Sequence, residues 1–312
     1  MATTTTIEWT RGDDGTAGVS WNPVRGCTKV SAGCDNCYAE AISTHWNGPG
    51  SFEVVRLVPE VLDAPLDWRK PRRVFVNSMS DLFHADVPDE FILEVFTRMW
   101  WAPAHTFQVL TKRHARMATL IPTLEAELRR READLTLVDC PTPLTWPLPN
   151  VWLGVSVEDA HWARIRIPSL LRTPAAIRFI SAEPLLGPLD LTGWLGTDGL
   201  DWVITGGESG PRARPPHPAW FRSLRDQCAA AGVPFFFKQW GQWSPDIDGP
   251  GHLVGVLPSG VVLNAPSPDD FAEGSATMRR CRSKHAAGRE LDGRTHDDFP
   301  ATSDHQEPTH AA

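Results

Sequence analysis

The chain has 312 residues, of which 41% are hydrophobic and 22% are charged, and its formal net charge is −8. This composition is typical of a soluble globular protein and argues against broad electrostatic binding of nucleic acid, although a local basic patch is compatible with it. The length allows one barrel-sized domain or two smaller ones. Residues 1–11 carry no apolar leader and no later run is long enough to span a membrane, so we expect a cytoplasmic protein without membrane contacts.

Three cysteines lie close together near the start of the chain, in the pattern Cys27-x6-Cys34-x2-Cys37. They occupy a loop rich in glycine, proline and serine that can fold tightly enough to direct three thiolates to one point. Three protein thiolates leave one coordination position of a metal open, which is typical of a reactive site. The pattern therefore predicts Cys27, Cys34 and Cys37 as metal ligands, with an iron–sulfur cluster as the preferred metal.

Two other interpretations of the cysteines stay open. A structural zinc ion is the stronger one, because Cys-x2-Cys is a common zinc half-site and His45 or His84 can supply a fourth ligand. The second half of a zinc ribbon or finger is absent from the sequence. A disulfide with one spare thiol is the weaker alternative, because thiols stay reduced in the cytoplasm.

Short runs of β-branched and aromatic residues alternate with amphipathic helical patterns along the rest of the chain. Seven strands are predicted, over residues 19–21, 73–76, 106–110, 151–155, 177–180, 202–205 and 234–237. Four helices are predicted, over residues 86–99, 114–128, 159–171 and 218–231. Asp86 is the expected N-cap of the first, Pro122 should interrupt the second, Pro168 should kink or shorten the third, and Gly232 should end the fourth.

Strands alternating with helices imply parallel strands joined by helical crossovers. No glycine-rich dinucleotide fingerprint follows the first strand, so a complete or partial (β/α) barrel is the predicted α/β fold rather than an open dinucleotide-binding sheet. We expect residues 1–245 to form this barrel, residues 246–300 a C-terminal extension, and residues 301–312 a disordered tail. The extension is predicted to contain a hairpin over residues 252–263 and a basic stretch from Arg279 to Arg294. That stretch is interpreted as a phosphate contact, a lid over the barrel or a solvated helix.

Polar residues follow each predicted strand, and the carboxyl-terminal ends of parallel strands open on one mouth. Lys112, Glu183 and Lys238 are the predicted catalytic residues at this mouth. The predicted ligand-binding residues are Asn77, Ser78, Asp81, Ser156, Gly206, Gly207 and Glu208. The two glycines after a strand allow close backbone approach to an anionic ligand, and Glu208 can accept hydrogen bonds from an ammonium or ribose group.

Fourteen tryptophans against one tyrosine are an unusual bias. The tryptophans near predicted loops can stack on planar ligands or pack in the core, and packing is the commoner role. They are Trp9, Trp21, Trp46, Trp240 and Trp243.

Several sequence blocks together resemble an uncharacterised family of phage and prophage proteins with three cysteines, regarded as radical-SAM-like. The blocks are Trp21-Asn22-Pro23, Cys34-Asp35-Asn36-Cys37-Tyr38-Ala39, Asn77-Ser78-Met79-Ser80-Asp81-Leu82-Phe83, Leu110-Thr111-Lys112-Arg113, Ser181-Ala182-Glu183-Pro184-Leu185, Gly206-Gly207-Glu208-Ser209-Gly210 and Phe237-Lys238-Gln239-Trp240-Gly241. The resemblance covers roughly residues 7–245 and much of the tail.

The resemblance implies a barrel of radical-SAM type in which Cys27, Cys34 and Cys37 bind a 4Fe–4S cluster. It also implies that S-adenosylmethionine is cleaved reductively with the help of an electron donor, and that Asn77, Ser78 and Asp81 after the second strand are the best positional match for cofactor contacts. A phage-encoded protein would act in the host cytoplasm. The oligomeric state is not indicated.

The substrate is the least determined part of the sequence interpretation. A nucleic acid, a nucleotide or an associated protein is expected, with a phosphate contacted by the basic residues Lys112, Arg113, Arg212 and Arg214. An anionic small molecule is an alternative. Two other function classes stay open, namely a zinc-stabilised nucleic-acid-binding or adaptor protein without turnover, and a metal-dependent nuclease using Asp81, Glu183 and Glu208.

Overall fold

The computed structural model describes residues 3–12, 14–134, 142–245, 251–264 and 271–301. In chain order its strands are β1 (Thr3–Thr4), β2 (Val19–Trp21), β3 (Val24–Arg25), β4 (Arg56–Leu57), β5 (Arg73–Val76), β6 (Thr106–Thr111), β7 (Val151–Ser156), β8 (Ile177–Ala182), β9 (Trp202–Gly206), β10 (Phe235–Gln239), β11 (Trp243–Ser244), β12 (Leu253–Val256), β13 (Val262–Leu263) and β14 (Ala276–Arg280). The helices are α1 (Tyr38–Asn47), α2 (Asp89–Trp101), α3 (His114–Asp134), α4 (Ala160–Leu171), α5 (Pro218–Ala231) and α6 (Lys284–Ala287).

Seven parallel strands form the central sheet, in the order β2-β5-β6-β7-β8-β9-β10, and β1 pairs antiparallel with the outer side of β2. All seven predicted strands are therefore confirmed, as is the parallel pairing that their spacing predicted. Within the described residues β2 and β10 are not hydrogen-bonded to each other, so the sheet is a half-barrel. The prediction of a partial parallel barrel is confirmed at this level.

The free edge of β10 is covered by residues near the end of the described chain. Phe237 N donates to His296 O at 2.9 Å and Asp298 N donates to Phe235 O at 3.3 Å. These bonds satisfy backbone groups that an exposed edge strand would leave unpaired. The segment around His296 thus closes the edge at which a complete barrel would continue.

An aromatic cluster fills the inner face of the half-barrel. Trp9, on a short 3-10 turn before β2, is 2% exposed and stacks edge-on against Phe75 with 4.6 Å between ring centroids. Trp202 and Phe236, from β9 and β10, belong to the same cluster. Side chains two residues apart on a strand point to the same face. A register shift between Phe237 and Gln239 interrupts this alternation at Lys238, whose ammonium group lies 3.1 Å from Glu183 Oε1.

Two helix predictions are wrong. Helix α2 begins at Asp89 with Pro88 as its N-cap, so Asp86 is not the cap. Asp86 instead lies 3.6 Å from the imidazole of His84. Helix α3 runs through Pro122 without interruption, because buried residues on both sides of the proline, Ile121 and Leu124 among them, pack in the main core. Tertiary packing here outweighs the backbone hydrogen bond that proline removes.

The other two helices follow the sequence more closely. Helix α4 is capped by the Asp159 side chain, which accepts from Trp162 N at 3.0 Å, and it reaches Leu171 with Pro168 inside it. Helix α5 ends at Gly232, whose φ of 69° is the left-handed conformation favoured by glycine at helix ends. The predicted end at Gly232 is confirmed.

A second, four-stranded sheet has the order β11-β14-β12-β13. Its antiparallel β12–β13 pair confirms the predicted hairpin. Arg279 and Arg280 lie in β14, so the interpretation of this part of the basic stretch as a helix is wrong. The sheet joins β11, before residue 245, to strands after it, and the predicted tail lies outside the described residues from 302 onward. None of the helices in the described ranges is long and apolar enough to cross a membrane.

Candidate active site at the mouth of the half-barrel

A cleft of about 160 Å³ opens where β5, β6 and β7 end. All three cysteines of the motif line it, together with several of the predicted polar residues: Asn77, Ser78, Asp81, Lys112 and Ser156. The cleft therefore brings the cysteine motif to the carboxyl-terminal ends of the parallel strands, where the sequence predicted a site. Gly206, Gly207, Glu208, Glu183 and Lys238 are not part of its lining.

The three cysteines are carried by residues 26–37, which we call the cysteine loop. Cys27 follows β3, Cys34 ends a short 3-10 turn, and Cys37 is the N-cap residue of α1. All three are free thiols, as are Cys228 and Cys281, so the disulfide alternative has no counterpart among the described cysteines. Cys140 lies outside the described residues. Burial, and next the Asp81 carboxylate, raise the pKa of the Cys27 thiol to about 11, against the opposing effect of Arg113.

One side of the cysteine loop is held by Glu158, at the end of β7. Ser31 Oγ donates to Glu158 Oε1 at 2.7 Å, and a Cβ on Gly33 would lie 2.4 Å from the Glu158 side chain, so only glycine fits there. Arg166 of α4 contacts the other carboxylate oxygen at 3.0 Å, and both side chains of this ion pair are fully buried. Lys112 Nζ lies 3.6 Å from the same carboxylate and donates to Ser156 Oγ at 3.0 Å.

A second anchor joins the cysteine loop to the segment after β9. Arg214 binds Glu208 through two nitrogens, with Nη2–Oε1 and Nε–Oε2 distances of 2.6 and 2.9 Å. Its Nη2 atom also donates to the carbonyl of Ala32 at 2.8 Å, and its Nη1 atom lies 3.4 Å from Asp35. Glu208 therefore orients an arginine that holds the loop, and its carboxylate is already occupied.

The third anchor lies beside Cys27. Asp81 accepts from Thr111 Oγ1 at 2.7 Å and from the backbone N of Lys112 at 3.0 Å, which fixes its position at the end of β6. Arg113 lies 3.5 Å from Asp81, donates to Thr28 Oγ1 at 2.8 Å and approaches Cys27 Sγ at 3.6 Å. A guanidinium next to this thiol favours its thiolate form, which is the form that binds metals.

Asn77 contributes a donor without a partner to the cleft. It has a left-handed backbone (φ 63°) at the end of β5 and is 2% exposed. Its Oδ1 atom accepts from Val24 N at 3.2 Å, while Nδ2 has no hydrogen-bond partner among the described residues. A buried donor left unsatisfied costs free energy. An acceptor of a ligand in the cleft would remove that cost.

Glu183 and Lys238 form a separate ion pair next to the cleft, with Nζ–Oε1 at 3.1 Å. The Glu183 carbonyl accepts from Ser156 Oγ at 3.4 Å, which connects the pair to the cleft lining. Gly206 packs under this pair, since a Cβ there would lie 2.8 Å from Glu183 Oε1. The amide of Gly207 already donates to Gln239 O at 2.9 Å. The two glycines thus serve close packing of the strand ends.

Two alternatives from the sequence can be compared with these positions. His84 Nε2 lies 2.8 Å from Thr28 Oγ1 beside the cysteine loop, while His45 packs against Trp46 on α1. The three carboxylates of the nuclease hypothesis, Asp81, Glu183 and Glu208, are each bound to a different basic residue. Within the described part of the chain no three His, Cys, Asp or Glu side chains are close enough together to hold a metal ion.

The cleft nevertheless carries the donor atoms of a three-thiolate metal site. The three thiols are free and line one cleft. The unpartnered Asn77 amide on the same lining can meet a ligand bound at a fourth position. The fit is to a three-thiolate centre with an open side, and closing the site requires the thiols to move together.

Sequence reasoning missed Ser31 and Arg166, which hold Glu158 and through it the cysteine loop. A polar residue within the motif loop and an arginine on an otherwise apolar helix face were the available signals. Of the arginines predicted to contact phosphate, Arg113 and Arg214 are engaged by carboxylates, while the Arg212 side chain is exposed. These contacts point to a role in holding the loop.

Comparison with known proteins gives one match. No curated protein and no solved structure matches the chain. The family described as "Protein of unknown function (DUF5131)" matches residues 4–300, which includes the half-barrel, the cysteine loop and the C-terminal sheet. The chain therefore belongs to the DUF5131 family.

Proposed function

We propose that the protein is a radical-SAM-like enzyme that binds a 4Fe–4S cluster through Cys27, Cys34 and Cys37. The observation that carries this proposal is the meeting of three free thiols in one cleft at the carboxyl-terminal mouth of a parallel half-barrel. Catalytic groups collect at this end of parallel barrels. The resemblance of the sequence blocks to a phage and prophage family regarded as radical-SAM-like supports the same assignment.

The cleft lining suggests how the cofactor would be held. Asn77 Nδ2, which has no partner among the described residues, could donate to an acceptor of S-adenosylmethionine, and Ser78 and Ser156 line the same cleft. Asp81 keeps Arg113 beside Cys27. The chemistry that a bound cluster supplies is one-electron reduction of the sulfonium, which requires a one-electron donor protein or reductant.

The basic and acidic residues beside the cleft would act on the substrate. Lys112 and the Glu183–Lys238 pair face the mouth and are partly exposed, so their charges are accessible to a bound molecule. Lys238 is a candidate proton donor, and Glu183 keeps its ammonium group oriented. We propose a nucleic acid or a nucleotide as the substrate class.

Formation of 5′-deoxyadenosine tests the proposal. The anaerobically reconstituted protein, reduced and supplied with S-adenosylmethionine, should release 5′-deoxyadenosine and methionine, detected by mass spectrometry. Cys27→Ala should abolish release, while the matched variant Cys281→Ala, outside the cleft, should retain it. If the reduced, loaded protein forms no 5′-deoxyadenosine with or without oligonucleotides and nucleotides, the proposed enzyme class is wrong.

The alternative function, a zinc-stabilised binding or adaptor protein, predicts the opposite effect of substitutions at the mouth of the half-barrel. Its partner binding should survive Lys112→Met and Glu183→Gln, because neither residue would serve turnover. Magnesium-dependent cleavage of nucleic acid without iron would instead identify a nuclease.

A further inference from the structure

A second cavity of about 400 Å³ lies next to the cysteine cleft, and we call it the Trp46 groove. It is bounded by α1 and by the two-stranded β3–β4 ribbon. Phe52 lines both the groove and the cleft, and its carbonyl accepts from the backbone N of Cys27 at 2.7 Å. A molecule bound in the groove would therefore lie directly beside the cysteine loop.

The groove exposes an unusual amount of apolar side chain. Trp46 is 77% exposed, and Ile42 and Val54 on the same lining are 45% and 52% exposed. The other four tryptophans that the sequence placed near loops are buried. An indole held in solvent at the end of α1 contributes little to the fold, and a neighbouring planar group could stack on it.

Two arginines of the β3–β4 ribbon also line the groove. Arg25 and Arg56 are directly opposed in the antiparallel β3–β4 pair, so their side chains share one face. Both are exposed, and neither forms an ion pair or a side-chain hydrogen bond within the described residues. Like charges directly opposed across a strand pair are destabilising. No acidic residue is among the described residues that line the groove, although the chain as a whole carries a net charge of −8.

An exposed indole and two guanidinium groups without partners among the described residues line the same groove, and this combination suits a base with its adjacent phosphates. Base–aromatic stacking and contacts of basic residues with phosphates are two of the main interactions by which proteins hold single strands. A duplex presents no free base face, since its bases are stacked on each other. The groove, at about 400 Å³, lies at the lower end of the size range of ligand pockets and has room for one nucleotide.

We propose that the Trp46 groove binds single-stranded nucleic acid, with a base stacked on Trp46 and the adjacent phosphates held by Arg25 and Arg56. The strand would present a neighbouring nucleotide to the cleft beside Cys27. Only this last role, as substrate, rests on the proposed function. Binding itself does not require turnover, so a binding assay separates the two proposals.

Fluorescence anisotropy of the full-length, anaerobically purified protein with short labelled DNA and RNA single strands tests the site. We expect saturable binding that Trp46→Ala weakens about tenfold and Trp46→Phe weakens less, as loss of one stacked base predicts. The double change Arg25→Ala with Arg56→Ala should also reduce the slope of log affinity against log salt by about 1.4, for two single-strand phosphate contacts. The exposed Arg164 of α4 supplies the matched control, Arg164→Ala, which should bind as the wild type does.

Three results would overturn the proposal. The first is that a hairpin duplex binds as tightly as the single strand. The second is that a mononucleotide displaces the labelled strand at the same concentration as an unlabelled strand does. The third is that the Trp46→Ala variant and the double arginine variant both bind the strand as the wild type does. Binding to anionic vesicles without binding to oligonucleotides would also overturn it and assign the groove to a membrane surface. Unaltered circular dichroism and melting temperature of the variants ensure that lost binding is not lost folding.

Discussion

Ser31, within the cysteine loop, donates a 2.7 Å hydrogen bond to the carboxylate of Glu158, which is itself fully buried against Arg166. This contact joins residues 127 positions apart in the chain. It ties the cysteine loop to the segment that directly follows β7. The same principle recurs at Glu208–Arg214 and Asp81–Arg113, so three carboxylates at strand ends position one loop.

The ion pair of Glu158 with Arg166 and its hydrogen bond from Ser31 should contribute unequally to the free energy of unfolding. Glu158→Gln leaves the buried Arg166 charge without a counterion and should destabilise the protein by about 3 kcal/mol. Ser31→Ala removes one hydrogen bond and should cost about 1 kcal/mol. Urea denaturation of the metal-free protein measures both, and Ser223→Ala on the surface of α5 is the control. An equal loss of stability in the two variants would show that the buried ion pair contributes no more to stability than the Ser31 hydrogen bond.

The Arg214 anchor predicts an effect on metal retention rather than on folding. Arg214→Lys keeps the charge but cannot contact both oxygens of Glu208 and the Ala32 carbonyl together. We expect the variant to fold normally and to lose iron several-fold faster during desalting after reconstitution. Arg222→Lys, at an exposed ion pair on α5, is the matched control. Iron retention equal to that of the wild type would remove Arg214 from the loop anchors.

Thiol labelling should distinguish the cysteines of the cleft from the core cysteine. Burial raises the pKa of the Cys228 thiol to about 12, and the residue is fully buried, so its reactive thiolate is scarce at neutral pH. In metal-free native protein, iodoacetamide should modify Cys34 and Cys37 well before Cys228, as peptide mass spectrometry would show.

Reconstitution with iron and sulfide should then protect all three cysteines of the cleft and leave the reactivity of Cys281 unchanged. Protection of Cys281 instead would place the metal elsewhere. Labelling of Cys228 as fast as Cys34 would contradict its burial in the core.

Substitution of Glu183 or Lys238 should prevent conversion of the substrate while cleavage of S-adenosylmethionine continues. Lys238→Met and Glu183→Gln should leave the fold and the iron content unchanged, because both side chains are partly exposed at the mouth. Product formation from the true substrate should fall by at least about a hundredfold, which is the lower limit of the rate enhancement that one general acid or base typically provides. Once a substrate is identified, product yield per 5′-deoxyadenosine released measures this effect. Unchanged yields would remove the pair from catalysis.

The strands were the most predictable part of this fold. Strands β5, β7 and β9 are short runs rich in β-branched and aromatic residues, and every residue in them is buried, as expected of a parallel sheet covered on both faces. The start of α2 and the continuity of α3 were predicted wrongly. Helix α2 begins only after the extended residue Pro88, and α3 continues through Pro122 because the residues on both sides of the proline pack in the core.

The site was predictable by residue type but not by pairing. Strand-end position was enough to place Asn77, Asp81 and Lys112 with the cysteines, because parallel strands converge at one end. It could not show that Glu208 would be occupied by Arg214, or that Gly206 would pack under Glu183. Those outcomes depend on contacts between segments that are far apart in the chain, which no local pattern encodes.

Metal analysis tests the central claim most directly. The protein should be purified without oxygen, reconstituted with iron and sulfide, and assayed for iron, sulfide and zinc beside the variants Cys27→Ala, Cys34→Ala, Cys37→Ala and Cys281→Ala. We expect about four irons and four sulfides per chain in the wild type and in Cys281→Ala, as a 4Fe–4S cluster requires, and strongly reduced iron in the other three. Stoichiometric zinc with no iron after anaerobic purification would contradict the account.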